Sequence, residues 1–179
     1  MDRPGVLATT VTRADWYHTL GRLGLCWPRA FYASKAFLLC AVTAPLIWTT
    51  MVWGLPVRSM PLAEIWSLNF AWVVIWYPLW EELLFRGWLQ GELIERSWIR
   101  PLVGGLSSAN ITVSLLFTVL HLWSHSPIWA ALVFFPSLVF GCLRDRFDST
   151  IPLILMHIWY NGWYFFFIDG LPPSATNRQ

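Results

Sequence analysis

Trp80-Glu81-Glu82-Leu83-Leu84-Phe85-Arg86-Gly87 puts two adjacent carboxylates and a guanidinium inside a long apolar, Trp-rich run. An ionisable side chain in hydrocarbon costs roughly 2.5–3.5 kcal/mol on insertion scales. Such groups persist where protein buries, pairs and uses them, so the stretch asks what the rest of the chain supplies. Hydrophobic residues make up 56% of the 179 residues and charged residues 12%, and mean hydropathy is +0.52. That balance is too apolar for an ordinary soluble domain. It predicts an all-α protein, a multi-span transmembrane helix bundle. The 14 Trp agree, because indole favours the membrane–water interface.

Outward from this stretch, the apolar runs predict about five spans: 33–53, 62–95, 103–123, 127–143 and 150–168. The second is too long for one perpendicular crossing, so it tilts or leaves the bilayer as an amphipathic extension. Before the first span, residues 16–27 mix Trp16, Tyr17, Leu20, Leu23 and Trp27 with His18 and Arg22, and predict an interfacial helix ended by Pro28. The chain reads as one integral membrane domain, 1–179. It comprises an N-terminal cytoplasmic and interfacial segment (1–32), a transmembrane core (33–168) and a tail (169–179). The first 30 residues show no compact apolar run and no small-residue cleavage site, so no removable signal peptide is expected.

Positive charge orients the bundle. Arg3, Arg13, Arg22, Arg29 and Lys35 precede span one, Arg96 and Arg100 follow span two, and Arg144 and Arg146 follow span four. The N-terminus is therefore expected in the cytoplasm and the C-terminus outside. No Lys/Arg cluster suits nucleic acid. Cys26, Cys40 and Cys142 are scattered without metal-ligand spacing and read as small apolar packing residues.

The polar residues at membrane depth are few. Span two carries Glu81, Glu82 and Arg86, span three His121, and span five His157 and Asn161; Asn69 and Asn110 read as helix–helix hydrogen bonds. The spacings are helical: Glu82 and Arg86, Phe117 and His121, and His157 and Asn161 each stand four apart. Three helices with polar faces that avoid lipid share one site most economically. A carboxylate facing imidazoles is a general-base arrangement, so Glu81 is the candidate base, with a histidine to hold the water. A second histidine and an amide supply donors to an oxyanion. Glu82 and Arg86 form a neutralising pair, and Gly87 admits a close helix neighbour. Pro78 lacks an N–H and frees the Val74 carbonyl of an α-helix. Each residue alone has a plain structural reading, as an ion-pair lock or a helix–helix bond. The same groups also suit a zinc hydrolase with Glu81, His121 and His157 as ligands, a proton-coupled transporter, or a non-enzymatic membrane protein.

Glu81-Glu82-x-x-x-Arg86 with Gly87, then Phe117-x-x-x-His121, then His157-x-x-x-Asn161, resembles in order the three motifs of the CPBP family. These are the ABI/CAAX-protease-and-bacteriocin-processing intramembrane proteases. The resemblance spans about residues 62–168. It implies a glutamic-type intramembrane endopeptidase that cleaves a membrane-associated protein substrate, by CAAX-type processing or removal of a bacterial C-terminal sorting tag. By the same resemblance, Glu81 activates water, His121 positions it, His157 and Asn161 bind the oxyanion, and Glu82 and Arg86 support the site. The chain's size is similar to that of bacterial members, which implies the bacterial inner membrane. No cofactor is called for, and zinc stays open as the alternative; so does a bacteriocin-immunity or partner-binding role that keeps the fold without the chemistry.

Overall fold

A computed structural model of the chain describes residues 19–52, 60–96 and 106–169. Arg3, Arg13, Arg58, Arg100, the start of the expected interfacial helix and the tail from 170 onward lie outside them. The described residues form helices and connecting turns, with no strand among them. We label the helices α1 (Lys35–Val52), α2 (residues 68–95), α3 (Ser108–His121), α4 (Pro127–Phe147) and α5 (Ile151–Tyr164), the last continuing as a π turn over Phe165–Asp169. Short 3-10 turns at Phe31–Ala33 and Leu62–Trp66 lead into α1 and α2. The helices fall on the apolar runs of the sequence.

Their ends follow local chemistry. The Ser107 hydroxyl accepts from the N–H of Asn110 at the start of α3, and that of Ser126 accepts from Trp129 at the start of α4, where Pro127 takes the first helical position. α4 stops at Asp148, which turns left-handed at φ 46°. It thus runs to Phe147, past the end at 143 expected from hydropathy, and takes Arg144 and Arg146 into its last turn.

α2 is unbroken but passes twice through a π-helical stretch. It is π-helical over Ala71–Trp76, α-helical over Tyr77–Glu82, π-helical again over Leu83–Gln90, and α-helical over Gly91–Glu95. A π turn bonds i to i+5 instead of i+4, as the Tyr77 N–H does with the Trp72 carbonyl. In that register the N–H that Pro78 lacks is the one owed to Val73, not Val74. The carbonyl freed by the proline therefore moves by one residue, and the Asn161 amide of α5 donates to Val73 O at 3.1 Å.

α4 is the axis of the bundle. On one side Phe140 and Leu143 pack with Leu153 and Met156 of α5, with Phe37 and Cys40 of α1 behind them. On the other side Val133 meets Phe85 of α2 and Val113 and Phe117 of α3. The α3–α4 contact is close because position 141 is glycine: a Cβ there would stand 1.8 Å from Asn110 Oδ1. The Asn110 amide donates to Leu138 O at 3.0 Å and its carbonyl accepts from Ser114. This is the expected helix–helix hydrogen bond.

Before α1, residues 19–22 are helical and residues 23–24 turn. This strap lies across the end of the bundle where α4 meets α5. Thr150 N donates to Gly24 O at 2.8 Å, Thr150 Oγ1 to Leu23 O at 3.0 Å, and Ser149 Oγ to Cys26 O at 2.6 Å. Arg22 pairs with Glu92 and Glu95 of α2. Gly87 serves this strap: a Cβ on it would meet Leu23 O at 3.0 Å. The close neighbour of Gly87 is thus the turn at Leu23, where a helix was expected.

Polarity is arranged inside out. Glu82, Arg86, Gln90, Asn110, Ser137 and His157 are buried, whereas Leu39, Trp72, Trp80, Leu120 and Phe135 are exposed. Among the described residues α4 alone is by itself long and apolar enough to cross a membrane; Lys35–Thr50 of α1 and Ser108–His121 are shorter apolar helices. The internal register changes of α2 divide it into shorter regular pieces.

Candidate active site

The site forms where α2, α3 and α5 converge beside α4. Glu82 is fully buried. Its Oε1 stands 2.7 Å from His157 Nδ1; an ionised carboxylate only accepts, so Nδ1 carries the proton. Its Oε2 faces Arg86 Nε at 3.9 Å, one helical turn on, as a charge pair without a hydrogen bond. Glu82 and Arg86 thus meet as expected, but the shorter contact of Glu82 is to the imidazole. Arg86 is also fully buried. Its Nη2 donates to Ser137 Oγ at 2.6 Å and to Ser137 O at 3.0 Å, and its guanidinium lies over the Phe117 ring at 5.3 Å.

Glu81 approaches the opposite side of the same imidazole. Its Oε2 is 3.8 Å from His157 Nε2, and its side chain is 33% exposed, so this carboxylate, unlike Glu82, is open to small molecules. His157 is fixed from its faces too. Phe140 stacks on it at 4.8 Å and 29°, and Phe117 stands edge-on at 6.4 Å.

His121 packs against Phe117 at 4.3 Å, so Phe117 sits between the two histidines. His121 Nδ1 is 2.8 Å from the Phe117 carbonyl. A carbonyl accepts, so Nδ1 donates and Nε2 is left with its lone pair. Asn161 lies one turn beyond His157 on α5, and one hydrogen of its amide goes to Val73 O. Glu81, Glu82, Arg86 and His157 are therefore in one contact network, His121 joins it through Phe117, and Asn161 grips the backbone of the helix that carries the glutamates.

Several groups around the network carried no signal in the motif spacing. Ser137 is a lone serine in an apolar run, yet it holds Arg86. Gln90, fully buried, donates to Gly141 O at 3.1 Å and to Asp145 Oδ1 at 2.7 Å. Phe140 is one of 12 phenylalanines. As for metal, among the described residues no three His, Cys, Asp or Glu side chains stand together to hold an ion; Glu81, His121 and His157 do not converge as a ligand set.

A helical molecule with ionisable groups inside and large apolar side chains outside has the build of a membrane-embedded protein. Residues 62–163 match the family of type II CAAX prenyl endopeptidases, Rce1-like. That stretch is more than half of the chain and includes every residue of the network, and the chain belongs to this family of membrane-embedded proteases, whose substrates are membrane-associated proteins. No curated protein and no solved structure matches the chain.

Proposed function

We propose that the chain is an intramembrane endopeptidase that hydrolyses a peptide bond with water activated by Glu81. The observation that carries this reading is the approach of Glu81 and Glu82 to opposite nitrogens of one imidazole. Glu82 takes Nδ1–H and fixes the ring. His157 then turns its other nitrogen toward Glu81. That Nε2 stands 3.8 Å from Glu81, too far for a direct hydrogen bond, which leaves both groups to meet a water and the scissile carbonyl.

Glu81 accepts a proton from that water as the water oxygen attacks the carbonyl carbon. His121 Nε2 accepts from the second O–H and aims the attack. The carbonyl electron pair moves to oxygen, where His157 Nε2–H and the second amide N–H of Asn161 donate to it. The proton on Glu81 then passes to the amide nitrogen, the C–N bond breaks, and a carboxylic acid and an amine leave, the acid giving its proton to the amine. The family name points to CAAX-type processing, and a membrane-anchored C-terminal sorting tag calls on the same chemistry. In this reading the helices act as about five spans with the N-terminus in the cytoplasm. The apolar exterior and the gathering of Arg22, Arg96 and Arg144 at one end of the bundle support it.

The test compares peptide termini in membranes holding wild-type or Glu81→Gln protein. Gln keeps the shape of Glu but takes no proton. New termini should appear with the wild type and vanish with Glu81→Gln and His121→Ala, while all three proteins accumulate in the membrane. Undiminished cleavage by Glu81→Gln overturns the reading.

A further inference from the structure

Arg144 is a buried cation outside the three motifs, 5% exposed in the last turn of α4, and it joins four pieces of the chain. Its Nε donates to the Arg86 carbonyl of α2 at 3.2 Å. Its Nη1 donates to Asp148 at the α4–α5 turn at 2.7 Å. Its guanidinium carbon and Nη2 lie 3.2 Å from where a Cβ on Gly24 would stand, and Gly24 itself has φ +67°. Gly24 O is in turn held by Thr150 N, just before α5. The strap thus closes over Arg144 only because position 24 is a glycine in the left-handed region.

The bond to Arg86 O falls near the point where the π stretch of Leu83–Gln90 passes into the α turn of Gly91–Glu95. The Arg86 carbonyl accepts there from Arg144. Arg86 stands one turn after Glu82, whose Oε1 must meet His157 Nδ1 at 2.7 Å. A shift of the α2 backbone at residue 86 therefore reaches the imidazole through a rigid turn.

We propose that Arg144 is a positioning residue for the hydrolytic site. It holds the Arg86 carbonyl, and the strap at 22–26, whose close seat needs glycine at 24 and at 87, holds Arg144. Together they set where Glu81 and Glu82 stand along the axis of α2. This rests on the Glu81 hydrolysis proposed above. The plainer alternative is a cation that only complements the α4 C-terminus and anchors the fold.

Arg144→Gln and Arg144→Met separate the two. Both remove the charge and the Asp148 pair. Gln keeps an N–H at the same point along the side chain as Arg Nε, and Met keeps length without a donor. The full-length variants are assayed in proteoliposomes on a membrane-anchored peptide carrying the cleavage site found in the terminus comparison, with Glu81→Gln alongside. Since a misplacement of about 1 Å costs on the order of 100-fold in rate, Met should lower kcat about 30-fold with KM held within about twofold. Gln should stay within about threefold of wild type. Equal loss in Gln and Met, or wild-type kcat in Met, overturns the proposal. Should Arg144→Met fail to accumulate, Gly24→Ala decides: it displaces the guanidinium without touching Arg86, and an unchanged kcat refutes the role. Activity in Glu81→Gln would instead refute the hydrolysis reading, independently of how Gln and Met compare.

Discussion

An imidazole facing a carboxylate at each nitrogen has little rotational freedom, and His157 also has a phenylalanine stacked on one face. The buried Glu82 orients the ring, and in the proposed mechanism the more open Glu81 meets the substrate. Carboxylate-to-histidine contacts of the Glu82 kind also orient metal-bound imidazoles, so metal removal is a sharp test at this scale. Exhaustive chelation should leave peptide cleavage unchanged. Loss of cleavage that zinc restores would make His157 and Glu81 ligands. The motif residues were legible in the sequence because each is an ionisable or amide group at membrane depth. Their partners were not. Ser137 carries no charge, and the carbonyls of Val73, Phe117 and Arg86 belong to the backbone and leave no mark in a string of side chains.

At the scale of elements, α2 is the informative case. Apolar runs showed where helices lie, because hydrophobic length is what a bilayer selects. They did not show register, since a lipid-facing helix is apolar on most sides and its periodicity is faint. The π turn over Ala71–Trp76 adds one residue to the path of α2 ahead of the glutamates. Deleting Ile75, an exposed residue in that turn, should give an α-helical turn there. Val73 then stands four residues before Pro78, so its carbonyl remains the unpaired one and Glu81 and Glu82 keep their direction relative to the preceding turns. The deleted protein should insert, accumulate in membranes and cleave within about tenfold of wild type. A loss of about 100-fold or more would show that the π turn itself aims the glutamates. Arg144 was misread at this scale too: hydropathy ended α4 at 143 and made it a loop charge, whereas the helix carries it one turn further into the interior.

At the scale of the whole molecule, Arg22, Arg96 and Arg144 lie at one end of the bundle, in keeping with the charge asymmetry read from the loops. A reporter fused after Gln179 should therefore read as outside the cell membrane. A cytoplasmic signal would mean an even number of crossings and a different pairing of helices with spans. The general build was legible because composition alone separates a lipid-facing exterior from a water-facing one. How the strap seats was not, because its contacts run through backbone carbonyls and two glycines.

The strap has one more consequence, in the order of events during synthesis. Its segment is made before any of α1 to α5, yet the groups that receive it, Arg144, Ser149 and Thr150, belong to the end of α4 and the start of α5. His157 follows them by seven residues, fewer than two helical turns. The nascent chain therefore carries its glutamates into the membrane long before it has either the imidazole they address or the clasp that seats their helix. In the proposed mechanism cleavage therefore waits until the α4–α5 turn closes on the strap.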